Sequence, residues 1–414
     1  MSALWHSARM EQVEQVEAQP VGAVLKQKRE CVGLSREELA RAVGVSSSTI
    51  KAIELGNRKA SPELAQKLDR VLGADSAAPV GSVLNCWIAP GFNALRLLGD
   101  LVAKVNGAGG SLEQSLLYLD HRSAADWCAL IDTADYQQFG NASTYLRSAR
   151  AVLRVTKDAP LDLICLGCGS ARREVSLCNG MLEERSATDL RLYLLDISQP
   201  LLSEAYAYAA EALDRYPHAS VTAVQGNFHD LPRYGALLYR PEHSHRRKII
   251  TMLGFTFGNL DNELRFVSDA LAPFAKGDLL LLDVQRGYAA AGDASAIRRN
   301  DPGLQPGAQS ARQRQIEAFF LGPLRRYREG GAPVVELRNE LGPACVVPGS
   351  YQIEHVANVK DGAKSRRFVL AKARRYSIAE LSLALGSIGW HLVEQVASGD
   401  DKRAPISQLL FERR

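Results

Sequence analysis

Five almost unbroken apolar runs recur through the middle of the chain: LDLICLG, RLYLLDIS, SVTAVQGNF, RRKIITMLGFTFGN and DLLLLDVQ. Between them the apolar positions fall at helical spacing, as in QPLLSEAYAYAAEALDRY and NELRFVSDALAPFA. Runs without polar alternation suit parallel strands covered by helices on both faces. The pattern therefore predicts a doubly wound α/β sheet. After Arg286 the alternation stops for about 85 residues rich in Arg, Gly and Pro. It resumes with SIAELSLALGSIGWHLVEQVASGDDKRAPISQLLFER, a helix and two strands joined by a polar turn. A helical region broken at NGAGGS precedes the first strand, and Tyr136 and Phe139 stand just before the helix that leads into that strand.

A separate pattern occupies the N-terminal part. Apolar residues recur in short helical blocks at Val24 and Leu25, at Leu39, Ala40 and Val43, at Ile50 and Ile53, and at Leu64, Leu68 and Leu72. Ser35 with Glu38 reads as a capping box, Gly44 as a helix stop, and Ser46 as the next cap. Helix, glycine turn and helix at this spacing resemble the helix-turn-helix of Xre/Cro-type repressors. The resemblance implies that the helix after the turn enters a DNA major groove. Ser47, Ser48, Thr49 and Lys51 would then meet bases or phosphates, and Arg58 and Lys59 the backbone. Arg36 stands where that family often has Gln.

Charge sharpens this picture. The 414 residues carry a net charge of +4, and Val21–Ala74 alone holds ten basic against six acidic residues. The rest of the chain is balanced, so the whole surplus sits in the module expected to meet a polyanion. Seven cysteines without a regular pattern fit a reducing compartment. No run approaches the ~18 apolar residues of a membrane span, and MSALWHSARMEQVEQVEAQP lacks a signal-peptide core. The expectation is a cytoplasmic protein that makes no membrane contact.

The chemistry concentrates at LICLGCGSARRE. A strand ending in Gly167-x-Gly169 and opening a helix sets backbone N–H groups beside a nucleotide-like group. Asp196 ends the second strand, where a carboxylate can accept from ribose hydroxyls. Asn227 and Phe228 end the third, where an amide can read an adenine edge and a ring can pack on its face. Position 172 is Arg172 and not the third glycine of a dinucleotide fingerprint. Arg173 or the helix N-terminus could pair with a carboxylate at the far end of the ligand. Cys165 and Cys168 form C-x-x-C across the turn, but no second ligand pair accompanies them, so no metal is expected. His243 and His245 read as an exposed polar loop.

The closing helix and strands resemble the antiparallel ending of class I S-adenosylmethionine-dependent methyltransferases. At GCGS, LLDIS, GNF and GFTFGN the chain resembles, more narrowly, the histidine Nα-methyltransferases of ergothioneine synthesis and their relatives. That resemblance implies a Rossmann-like class I sheet with a substrate-covering α+β insertion, beside the small all-α helix-turn-helix domain. It implies S-adenosylmethionine bound by Gly167, Gly169, Arg173, Asp196, Asn227 and Phe228. Gly254 and Asn259 would line the substrate pocket, with Asn259 and Tyr136 as catalytic candidates. Two departures stand out. The family's A-Y-N-D is RRND here, which puts Arg299 at a substrate-contacting tyrosine. Its E-x-S-x-K-[FY] is Ala371-Lys372-Ala373-Arg374-Arg375-Tyr376, so Ala replaces the Glu and the Ser that hold the imidazole. Free histidine is then an unlikely substrate.

The expected division is a flexible tail (1–20), a helix-turn-helix domain (21–74), a linker and helix (75–110), a helical lead-in with the cofactor core (111–290), a substrate-domain insertion (291–375) and a closing segment (376–414). Two functions fit. One is N-methylation of a small amino-acid-like metabolite by a DNA-binding homodimer. The other is a transcriptional regulator whose methyltransferase-like domain senses the cofactor or a metabolite. Methylation of a partner protein recruited near DNA is a third possibility.

Overall fold

In the computed structural model, which describes residues 25–26, 29, 35–72, 85–133, 142–186, 188–234, 245–305, 311–329, 334–361, 364–397 and 406–414, the chain divides into two units, Met1–Val83 and Leu84–Arg414. Among the described residues no helix is long and apolar enough to cross a membrane.

In the first unit, Ser35 starts the helix Arg36–Val43. Its hydroxyl accepts the Glu38 N–H at 3.1 Å, and the Glu38 carboxylate accepts the Ser35 N–H at 2.7 Å. Gly44 ends this helix, and Ser46 caps the helix Ser47–Glu54. A third helix, Pro62–Leu72, completes the module. Leu39, Val43, Ile50 and Leu68 are buried together on the facing sides. Glu54 is buried too, because Arg29 Nε and Arg36 Nε donate to its two oxygens at 2.5 and 2.7 Å.

The second unit contains β1 (Cys86–Ile88), β2 (Gly110–Ser111), β3 (Leu161–Leu166), β4 (Leu190–Asp196), β5 (Ala219–Gln225) and β6 (Arg247–Met252). These are followed by β7 (Leu279–Gln285), β8 (Val334–Leu341), β9 (Tyr351–Asp361), β10 (Lys364–Arg375), β11 (Trp390–Ala397) and β12 (Ile406–Arg413). The main sheet has the order β1-β5-β4-β3-β6-β7-β12-β11. Neighbours from β1 to β7 are parallel, whereas β12 runs antiparallel to both β7 and β11. All six residues of the central β3 are buried, and its one charged residue, Asp162, accepts from Arg246 Nε at 2.5 Å. Strand order reverses between β3 and β6. The crevice of a doubly wound sheet opens there, beyond the carboxyl ends of the strands.

A second sheet has the order β2-β10-β9-β8; β8, β9 and β10 lie in the stretch where the apolar alternation stops, and β2, from the lead-in, pairs parallel with β10. Its helical cover differs from the sequence-based division. The helices Ala94–Asn106 and His121–Ile131 share one core with the helix Ala311–Tyr327 of the insertion, through Leu101, Val105, Leu117, Phe319 and Phe368. The lead-in is thus part of the cap over the crevice, because its apolar stripe is buried against the insertion. The stretch taken for linker also holds β1, which extends the edge of the main sheet beside β5. The insertion leaves and re-enters at one point: Tyr376 N–H donates to Gln285 O at 2.8 Å, and Gly287 N–H to Tyr376 O at 3.1 Å.

Candidate active site

Three adjoining cavities occupy the crevice, and each is organised by the end of a strand. Beyond β3, Gly167 and Gly169 take left-handed φ values of 68° and 54°. A Cβ at Gly167 would press on Thr256 Cγ2 at 3.0 Å, so this turn needs glycine for both conformation and room. Asp196, at the end of β4, ties the turn down. Its Oδ2 accepts the Gly169 N–H and its Oδ1 the Ser198 N–H, each at 2.9 Å. Burial raises the Asp196 carboxyl to about 6, against these stabilising N–H bonds.

The first cavity is lined by Gly167, Gly169, Asp196 and Phe228 as expected, together with His229 and Trp127. Phe228 is braced edge-on by Phe266, with ring centroids 5.6 Å apart. Asn227 is placed differently. Its Oδ1 accepts the His229 N–H at 3.0 Å in a local turn, and its side chain is not on the cavity wall. His229, which the sequence reading passed over, occupies that wall, and burial lowers its pKa.

The second cavity, about 310 Å³, reaches under the glycine turn to Arg173, Glu174 and Tyr145. The Arg173 guanidinium lies over Gly254, where a Cβ would collide with Nη1. Gly254 and Phe255 follow β6 with φ values of 71° and 70°. A left-handed Phe is strained backbone, and here it lines the third of the three cavities. A buried chain holds the loop: Asp283 Oδ2 accepts the Gly254 N–H at 3.0 Å, and Gln408 Nε2 donates to Asp283 Oδ1 at 2.6 Å. Glu174 is buried, and burial raises its carboxyl to about 8.

The third cavity, about 350 Å³, extends from Gly254 and Asn259 under the cap. Asn259 lines both this cavity and the first, so the two meet at the end of β6. Ala371 and Ala373 of β10 are on its wall. Arg299 is not. It is exposed at the end of the helix Ala294–Asn300, where its carbonyl accepts from Gln305 Nε2 at 3.0 Å. The substrate contact expected of Arg299 is therefore corrected. Two residues on, Asp301 is fully buried and accepts from Tyr351 Oη at 2.9 Å and Arg375 Nε at 3.2 Å. Tyr136 lies outside the described residues.

His355, also missed in the sequence, lines the third cavity directly across from Ala371 in the β9–β10 ladder. Its ring stacks on Phe320 at 4.5 Å. Asn339 Nδ2 donates to the Gly303 carbonyl at 2.7 Å, which turns its Oδ1 toward His355 Nδ1, also at 2.7 Å. An oxygen acceptor there assigns a proton to Nδ1. Neither His355 nor Asn339 stands in a motif, and only the fold brings them together. The C-x-x-C thiols are buried, and burial raises the pKa of both well above the usual thiol range.

In the first unit, Ser48, Lys51, Arg58 and Lys59 are exposed, while Ser47 and Thr49 are half-buried. The Ser48 and Thr49 hydroxyls are hydrogen-bonded to the Ser46 hydroxyl at 2.8 and 2.9 Å.

Comparison with known proteins agrees with this division of the chain. Residues 25–77 match the helix-turn-helix family model, and residues 100–289 match that of the histidine-specific, SAM-dependent methyltransferases. No curated protein matches the chain. Among solved structures, the CcbJ methyltransferase from Streptomyces caelestis is 13% identical with a TM-score of 0.36, over 71% of this chain and 99% of that one. The magnesium protoporphyrin IX methyltransferase from Synechocystis PCC 6803 is 11% identical with a TM-score of 0.39, over 73% and 100%. The sugar N-methyltransferase KedS8 from Streptoalloteichus sp ATCC 53650 is 11% identical with a TM-score of 0.34, over 66% and 88%. Residues 25–77 thus carry a helix-turn-helix domain, and residues 100–289 a domain of the histidine-specific, S-adenosylmethionine-dependent methyltransferase family.

Proposed function

We propose that the protein N-methylates a small amino-acid-like metabolite other than free histidine and binds DNA through its N-terminal module. The observation that carries this reading is the presence of Ala371 and Ala373 on the wall of the third cavity, where the family resemblance expects the two groups that hold an imidazole. A wall without those partners gives histidine no advantage over other amines.

The residues present fit the cofactor. Asp196 is available to the ribose, since each carboxylate oxygen can accept a second hydrogen bond. Phe228 and His229 would offer ring surface to adenine, Arg173 would pair with the carboxylate, and the glycine turn leaves room beside its N–H groups. When bound, S-adenosylmethionine supplies a methyl carbon activated by its sulfonium. What remains for the protein is to align the nucleophile and exclude water. Asn259 stands where the cofactor and substrate cavities meet and orients the amine. A protonated amine has no lone pair to attack with. His355, on the wall of the third cavity, is the candidate base for that proton, whose loss releases the nitrogen lone pair for bond formation.

A second reading is favoured by the same two alanines: a domain that keeps the cofactor cavity and loses substrate grip serves as a sensor. Ligand binding would then shift the spacing of two recognition helices in a homodimer. One experiment separates the readings. The protein is incubated with S-adenosylmethionine and a panel of L-amino acids and their decarboxylated amines, with mass spectrometry of products. The enzymatic reading expects a methylated amine and S-adenosylhomocysteine in equal amounts, with histidine among the poorest acceptors. Cofactor binding by calorimetry without any product, together with ligand-dependent operator affinity, would establish the sensor instead.

A further inference from the structure

Gln114 opens the short turn Gln114–Tyr118 and lines both the first and the third cavity. Its Nε2 donates to Tyr118 Oη at 3.3 Å. Its Oε1 is buried and meets no hydrogen-bond donor among the described residues. Lys372, which lines the same two cavities, is held by Asp261 at 2.5 Å. Burying an acceptor without a donor costs folding stability. Such an atom is tolerated where a ligand supplies the missing donor. Its place is the wall common to the cofactor and the nucleophile, which Asn259 and Ala371 also share.

The nucleophile's own chemistry narrows what that donor can be. An alcohol or thiol that has given up its proton to attack has no hydrogen left to donate, and its charge would be repelled by a carbonyl oxygen. A primary ammonium that has given one proton to His355 keeps two N–H bonds while its lone pair is directed at the methyl carbon. Only the amine can satisfy an acceptor during attack. We propose that Gln114 Oε1 accepts an N–H of the reacting amine and so restricts the site to nitrogen nucleophiles. This rests on the methyltransferase reading above and adds to it the residue that selects nitrogen over oxygen or sulfur.

Sinefungin provides a probe that needs no knowledge of the natural acceptor. It carries an ammonium group where S-adenosylmethionine carries its methyl, whereas S-adenosylhomocysteine carries nothing there. Calorimetric affinities of both ligands are measured for the full-length protein and for the variants Gln114→Met and Gln114→Glu. The wild type is expected to prefer sinefungin. Gln114→Met should reduce that preference roughly tenfold while leaving S-adenosylhomocysteine affinity within about twofold. Gln114→Glu, which keeps an acceptor, should retain or increase it. An unchanged preference in Gln114→Met overturns the proposal, as does an equal loss for both ligands, which would place the contact on the nucleoside. If the wild type binds neither ligand, the cofactor reading itself falls. That outcome is distinct from normal S-adenosylhomocysteine binding with no effect of Gln114.

Discussion

Asp196 has one structural role and, in the proposed function, a second in cofactor binding, and the two depend differently on pH. Its carboxylate anchors the glycine turn through the Gly169 N–H, and it is placed to accept from ribose hydroxyls. Burial raises its pKa from the ordinary aspartate range to about 6 in the ligand-free protein. Ribose hydroxyls donate to the ionised form, so binding favours loss of the proton. The Asp196 contribution to cofactor affinity should therefore be complete near pH 7 and be lost as pH drops through 6 toward 5, approaching tenfold per unit. Asp196→Asn should bind weakly with a nearly flat profile over the same range. A wild-type profile that stays flat from pH 7 to 5 would argue against a ribose contact. The glycine pair and Asp196 were legible in the sequence because strand ends of a doubly wound sheet carry them at predictable places. Asn227 shows the limit of that reasoning. A strand-end amide can serve a ligand or its own turn, and here the His229 N–H takes its oxygen. Gln114 and His355 left no trace in the sequence, since each acquires meaning only from neighbours distant along the chain.

At the scale of elements, the five parallel strands and the closing pair were readable from apolar runs alone. The long strands β9 and β10 were not. Buried polar groups such as Gln352, Glu354, Arg374 and Arg375 interrupt their apolar alternation, because one face of this sheet serves a cavity and ion pairs instead of an oily core. The cap's own core lies on the helical side, centred on Phe319. That ring is fully buried and lies 5.0 Å from Tyr118 and 5.3 Å from Trp127. Trp127 lines all three cavities, so cap packing and site shape share one residue. Phe319→Ala should destabilise the protein by about 3–5 kcal/mol in denaturant unfolding. It should also weaken S-adenosylhomocysteine binding through the loosened Trp127. Loss of stability with unaltered binding would show that the cap core and the cofactor wall are independent.

For the whole molecule, the charge distribution separates two kinds of arginine that the sequence could not distinguish. The positive surplus lies in the N-terminal module, yet Arg36 and Arg29 are committed to the buried Glu54 carboxylate. Those guanidinium bonds hold the Glu54 pKa low against the opposing effect of burial. Lys51, Arg58 and Lys59 are exposed and remain available to phosphates. Each phosphate neutralised on B-DNA adds about 0.9 to the slope of log affinity against log salt. Lys51→Ala with Arg58→Ala should therefore lower that slope by about two per module, while leaving thermal stability nearly unchanged. Arg36→Ala should do the reverse. It leaves Glu54 with one fewer donor, so the melting temperature falls while the salt slope on DNA changes little. If Arg36→Ala flattens the salt dependence as strongly as the double variant, then Arg36 must exchange Glu54 for phosphate on binding. The ion pair seen in the free module would then be a resting contact that DNA replaces.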